Sequence, residues 1–177
     1  SELFLSERQN NINGSTIFPS LEGSRPILVE IQALASNANF GTPQRNVNGF
    51  DYKRLAMLLA VLEKRLGVQI GTKDVFVNLV GGLKVNDPAA DLSVISAVAS
   101  SVQDQLISDS VVLIGEVGLG GEVRSVSGLD TRINESKSLG FKTIIAPRSN
   151  VKRLKDLPKS IEIFGISNVV EAFHKLF

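Results

Sequence analysis

Apolar positions along the chain fall into two rhythms. Leu55, Leu58, Leu59, Leu62 and Leu66 recur at helical spacing and predict a helix over Phe50 to Leu66, opened by Asp51 as N-cap and ended by Gly67. A second long helix is predicted from Asp87-Pro88 to about Leu106, with Ile95, Ala99, Val102 and Leu106 as its buried stripe. Shorter helices are expected over Thr131 to Ser138, closing at Leu139-Gly140, and over Asn168 to Phe177, with Val169, Val170, Phe173 and Leu176 inward. Short apolar or alternating runs predict strands at Pro26 to Leu34, Asp74 to Val80, Thr143 to Ala146 (stopped by Pro147) and Ile161 to Phe164. Residues Ser1 to Gly14 are polar and read as a frayed terminus or hairpin tip, with Leu3-Phe4-Leu5 and Ile17-Phe18 hinting at strand on either side of an Asn-Gly turn. Three stretches read as loops: Ser36 to Gly49, which contains Gly41-Thr42-Pro43-Gln44-Arg45; Gly81 to Asn86; and the basic Asn150 to Pro158, loop or short helix.

The centre of the pattern is Val111 to Asn150, where an apolar run enters Gly115-Glu116-Val117-Gly118-Leu119-Gly120-Gly121-Glu122-Val123-Arg124. Its glycines supply the positive φ of a tight turn, so two short β runs joined as a hairpin are expected, followed by helix and strand. The whole reads as an α/β unit with a mixed sheet and helices packed on it. No repeat or low-complexity linker divides it.

Composition narrows the chemistry. At 177 residues the chain has the size of one domain with a sizeable core. A net charge of +1 implies no bulk attraction to nucleic acid, so any such binding must come from local patches. With no cysteine, neither a disulfide scaffold nor a thiolate zinc site is available in these residues. No apolar run approaches the roughly 18 residues of a membrane span, and no signal peptide is read at the start, so a cytosolic or organellar interior is expected.

The run GEVGLGGEVRSVSGL, with the helix after it and GFKTIIAPRSN, resembles the proteolytic domain of Lon proteases. It is similar more closely to the C-terminal Lon-like domain of the RadA/Sms recombination and repair ATPase family. That likeness extends through EGSRPILVEIQAL, the GTPQR loop and FDYKRLAMLLAVLEKRLGV, from about Leu21 to Phe177. It implies an α+β domain of the Lon proteolytic type, related to the second domain of ribosomal protein S5, over residues 21–177, with residues 1–20 as an N-terminal segment leading from a missing ATPase domain. ATP, magnesium and zinc would then belong only to upstream domains, and none of them is expected here. No Gly-x-x-x-x-Gly-Lys-Ser/Thr run occurs in the sequence.

Lon proteases use a serine–lysine dyad: the serine in a Pro-Ser-Ala-Gly turn at a helix start, and a desolvated lysine as its base. The matching residues here are Pro88-Ala89-Ala90-Asp91 and Ser127-Gly128-Leu129-Asp130, which put Ala89 and Asp130 at the two dyad positions. A methyl group cannot attack a carbonyl. Ser93, one helical turn on, is the substitute nucleophile to weigh, with no base identifiable beside it. His174, the single histidine, lacks a companion ligand in sequence, and Glu116 and Glu122 flank the hairpin as solvated or arginine-matched carboxylates.

What remains is basic residues. Lys142, Arg148, Lys152, Arg153, Lys155 and Lys159 lie close in sequence, and Arg45, Arg54, Lys84, Arg124 and Arg132 lie on or beside loops elsewhere. Arg45, Lys84, Arg124 and Arg132 are the DNA-backbone candidates. The resemblance implies a protease-inactive scaffold and DNA-binding domain of a hexameric, ATP-driven DNA translocase acting in recombination, with partners that are DNA, copies of itself in a ring, and recombinase or replication proteins, and no membrane. The alternatives are a pseudoprotease that binds peptides and a peptidase with a displaced dyad.

Overall fold

The computed structural model describes residues 2–177, the side chains of Leu3 and Phe4 excepted; the expectation for Ser1 lies outside the described residues. A short helix, α1 (Glu2–Ser6), precedes the strands β1 (Ser15–Glu22), β2 (Arg25–Asn37) and β3 (Arg45–Asn48). The helix α2 (Tyr52–Leu66) and strand β4 (Lys73–Leu79) follow. A 3-10 turn, Pro88–Ala90, runs into α3 (Asp91–Gln103). Then come β5 (Val111–Leu113), the pair β6 (Glu116–Val117) and β7 (Val123–Arg124), α4 (Leu129–Ser138), β8 (Thr143–Pro147), α5 (Arg148–Val151), β9 (Glu162–Ile166) and α6 (Val169–Leu176).

Seven strands form one mixed sheet in the order β3-β4-β2-β1-β5-β8-β9, and β6 with β7 forms a separate hairpin. β1 is one of two strands, with β4, at which the pairing changes sense. It pairs antiparallel with β2, from Ser15 opposite Gln32 to Glu22 opposite Arg25, and parallel with β5 through Ile17 and Val112. Everything beyond it, β5 to β8 to β9, is parallel. Residue 20, where the sequence places the end of an N-terminal segment, lies within β1.

α2 forms as its sequence dictates. The Asp51 side chain accepts from the Lys53 N–H, and Gly67 at φ 67° gives the left-handed ending that only glycine adopts without strain. Leu55, Leu58, Leu59, Val61 and Leu62 are its buried positions.

α3 differs from the expected amphipathic helix. It lies between the sheet and α2, and every residue from Asp91 to Ser101 is buried. It ends at Gln103, with Asp104 in the left-handed region, which leaves Leu106 outside the helix and 52% exposed. A helix enclosed on all sides carries no stripe, and its polar residues must find partners inside. The Thr16 hydroxyl donates to the Ser93 carbonyl at 2.9 Å, Ser100 Oγ accepts the Gly14 N–H at 2.8 Å, and Ser101 Oγ accepts the Ala35 N–H at 2.9 Å. The serines thus stitch the central helix to β1 and β2.

Three further expectations are corrected. The segment read as strand around Leu5 is helix α1, which packs on β2. The polar stretch read as loop contains β3: its residues alternate half-buried and exposed, as suits an edge strand, and it runs parallel to β4. In α6 Val170 is 41% exposed, and Ala172 takes the inward position with Val169 and Phe173.

Candidate functional site

The turn before α3 is the place where the sequence motifs meet. Asp87 caps it, accepting the Ala89 N–H through Oδ1 at 3.0 Å, and Pro88 sits where no N–H is needed. The other carboxylate oxygen of Asp87 accepts from Arg132 Nη2 at 2.7 Å. Asp87 lies two residues before Ala89 and Arg132 two residues after Asp130. This one ion pair therefore ties the turn that holds Ala89 to α4, which holds Asp130.

Neither position holds a serine or a lysine. Ala89 is 2% exposed. The Asp130 side chain is exposed and accepts from its neighbour Thr131 N–H at 2.9 Å. Ser93 is fully buried, and its hydroxyl donates to the Leu113 carbonyl at 2.7 Å and lies 3.4 Å from that of Ile17, so it ties α3 to β5 and β1. Asp130 and Asn150, with Leu129, Arg153, Leu154, Lys155 and Asp156, line an open cleft of about 450 Å³. Asn150 fixes one wall by bonding both the N–H and the carbonyl of Val126, at 2.8 and 2.9 Å.

Arg132 was among the candidates for phosphate contact, and the structure places it elsewhere. It is 1% exposed. Its Nε donates to the Ser127 carbonyl at 3.0 Å, Nη1 to the Pro19 carbonyl at 2.7 Å and Nη2 to Asp87, and its guanidinium lies 5.4 Å from the Phe18 ring centre. A buried guanidinium with every nitrogen satisfied is a structural hub. Arg45 is half-buried on β3, its terminal nitrogens donating to the carbonyls of Lys73, Gln44 and Ile70. Lys84 is exposed on the loop after β4; Arg124 is exposed on β7, 2.9 Å from Glu122. The four candidates thus divide into two engaged inside the domain and two facing solvent.

Sequence reasoning missed the pair that fills the rest of the site. Asp91 is 0% exposed. Arg54 reaches it from α2, with Nε 2.6 Å from Oδ1 and Nη2 bonded to Oδ2, and the same Oδ2 accepts the Val117 N–H at 3.0 Å. Glu116 stands 3.6 Å from Arg54. Burial pushes the Asp91 carboxyl up, opposed by the Arg54 and Val117 hydrogen bonds and by the Arg54 charge. The hydrogen bonds to Asp91 in turn raise Arg54, against desolvation by burial. The signal was in the sequence: Pro88-Ala89-Ala90-Asp91 ends on a carboxylate where the Lon motif has glycine.

His174 is exposed on α6 and Glu122 is bonded to Arg124 and to the Gly120 N–H. Among the described residues, no group of three or more His, Cys, Asp or Glu is placed to hold a metal ion, and no helix is long and apolar enough to cross a membrane.

The model of the Lon protease (S16) C-terminal proteolytic domain matches residues 66–174, more than half of the chain. The chain belongs to that family. Within it, the similarity is to proteins named DNA repair protein RadA. The chain is 45% identical over 172 residues to the one from Halalkalibacterium halodurans and 46% identical over 172 residues to the one from Bacillus subtilis, covering 97% of this chain and 37% of each relative. It is 40% identical over 177 residues to that from Streptococcus pneumoniae, covering 100% of this chain and 42% of the relative. The Lon-like domain described here thus spans about two fifths of the length of the curated relatives it matches. The seven-strand mixed sheet with packed helices is the architecture expected of a Lon-like α+β domain.

Proposed function

We propose that this Lon-like domain is a protease-inactive scaffold and DNA-backbone-binding module of a RadA-type DNA repair protein. The observation that carries the first half is Ala89: a buried methyl group at the nucleophile position, with an exposed carboxylate at Asp130 in place of the basic lysine. Against the displaced-dyad alternative stands the Ser93 hydroxyl, which is buried and bonded to backbone. In the full-length protein the domain would form part of a ring, with ATP, magnesium and zinc held by upstream domains and recombinase or replication proteins as further partners in the bacterial cytoplasm.

The DNA reading rests on the exposed cations. Lys84 and Arg124 are the remaining members of the candidate set, while Arg45 and Arg132 are spent on internal partners. Phosphate contacts position a protein without reading bases, so binding is expected to be salt-dependent and sequence-independent. The test uses the full-length protein and duplex DNA over a range of salt. Lys84→Ala and Arg124→Ala are each expected to weaken binding alike for any sequence and to lower the salt slope by about one unit. Parent-like affinity at low salt in both variants would assign the DNA site to other residues. Turnover of an unstructured protein by the isolated domain, abolished by Ser93→Ala, would overturn the protease-inactive half.

A further inference from the structure

The turn before α3 and the hairpin are zipped together along three consecutive contacts. The Gly115 N–H donates to the Ala89 carbonyl at 2.8 Å, and the Leu92 N–H donates to the Gly115 carbonyl at 3.0 Å. The third contact is of another kind: the Val117 N–H donates to a side-chain oxygen, Asp91 Oδ2, at 3.0 Å. On its other edge β6 is committed to β7, with Val117 opposite Val123 and the Gly118 N–H donating to the Glu122 carbonyl at 3.0 Å. Val117 therefore points its N–H outward, in the direction an added strand would use. A free outward N–H on a short hairpin is an invitation to pairing.

We infer that Asp91 is an internal plug, its carboxylate holding the acceptor place that a carbonyl of an extended polypeptide would take on β6, so that the domain excludes peptides from this edge. Arg54 is the positioning residue. Its Nε and Nη2 grip both carboxylate oxygens and aim Oδ2 at Val117. A peptide carbonyl would have to displace a charged acceptor, whose hydrogen bond is roughly twice as strong as a neutral one, and would strand a carboxylate that no water reaches. The Cβ that a residue other than glycine would carry at 115 meets Val123 at 2.6 Å, so the close seating of the turn against the hairpin depends on this glycine. The inference stands apart from the DNA reading and is tested without DNA. It argues against a peptide-binding pseudoprotease.

The test reads the Val117 amide by NMR exchange and chemical shift, together with anisotropy of fluorescein-labelled β-casein as an unfolded polypeptide. The parent domain is expected to protect Val117 and to bind no casein. Asp91→Ala is expected to speed Val117 exchange by ~10-fold or more and to gain casein binding that shifts Val117. Asp91→Asn keeps one acceptor oxygen but turns an NH2 toward one of the Arg54 donors, and should speed Val117 exchange less than Asp91→Ala does. Arg54→Gln keeps Asp91 but removes the grip that aims it, and should likewise speed Val117 exchange if Asp91→Ala proves too unstable to study. Casein binding by the parent with a shift at Val117 overturns the plug. So does Asp91→Ala (or, in its place, Arg54→Gln) exchanging as slowly as the parent, or an opened edge in Asp91→Ala that still takes no casein.

Discussion

Two aspartate–arginine pairs bracket the same turn, and they are built in opposite senses. In Asp87–Arg132 the arginine is the buried partner, its side chain 1% exposed against 23% for the carboxylate. In Asp91–Arg54 the carboxylate is buried, at 0%, and the arginine is 23% exposed. The difference shows what each pair does. Arg132 gathers distant backbone, the carbonyls of Pro19 and Ser127, around the base of the turn. Asp91 instead closes an edge, and water already reaches its partner.

The comparison predicts a hierarchy of damage. Arg132→Met should be the most destabilising single change near the site, by about 3–5 kcal/mol, because it leaves the buried Pro19 carbonyl and the Asp87 carboxylate without their partner. Equilibrium denaturation measures it, and a loss below that of Asp91→Ala would reverse the assignment of the two arginines. Asp91→Ala should cost about 2 kcal/mol, less because Arg54 rehydrates, with the Val117 N–H bearing the main penalty. Ser93→Ala should cost about 1 kcal/mol, the typical net worth of one hydrogen bond, here the one from α3 to the Leu113 carbonyl.

The smallest effect belongs to the outer pair, Glu122 and Arg124. The Glu122 carboxyl is held below its ordinary value by its own backbone N–H, then by Arg124, against slight desolvation, and also by the Gly120 N–H. A carboxyl lowered by folding adds stability above its unfolded value, and that stability is lost as pH falls through the folded one. Arg124→Ala should therefore move the Glu122 titration midpoint upward, seen by carboxyl NMR, with no resolvable change in stability at neutral pH. A midpoint that stays put would mean that the backbone N–H groups alone hold it.

The elements with local signals were legible in the sequence. Asp51 and Gly67 mark the ends of α2 because caps are read from neighbours, and the hairpin glycines announced β6 and β7 for the same reason. β3 was not legible, since Arg45-Asn46-Val47-Asn48 has one apolar residue and gains its strand character only from pairing with β4. Leu106 was assigned to a stripe that a fully enclosed helix does not have. At the site, the resemblance singles out Ala89 and Asp130, while nothing in the sequence pattern points to the contacts of Arg132 and Asp91. Arg132 finds its partners 113, 5 and 45 residues away, and Asp91 finds Arg54 37 and Val117 26 away. Side-chain periodicity carries no record of such distances. A choice made by position in the sequence therefore set a buried arginine, Arg132, beside the exposed Lys84 and Arg124.

The position of β1 in the sheet has a consequence for how the chain is made. Its first neighbour, β2, follows after a two-residue turn, but its second, β5, begins at Val111, 89 residues after β1 ends. During synthesis from the N-terminus, β1, β2 and β4 can pair as a three-stranded meander long before β5 leaves the ribosome. Through that interval β1 is an edge strand carrying Ile17 and Phe18, both fully buried once folding ends. Such an unpaired apolar edge is the surface on which nascent chains join one another. The late, non-local closure by β5 also places this domain among slow folders for its size. A pause in translation after β4 would lengthen the period of risk, whereas one after β8, with β5 already docked, would not.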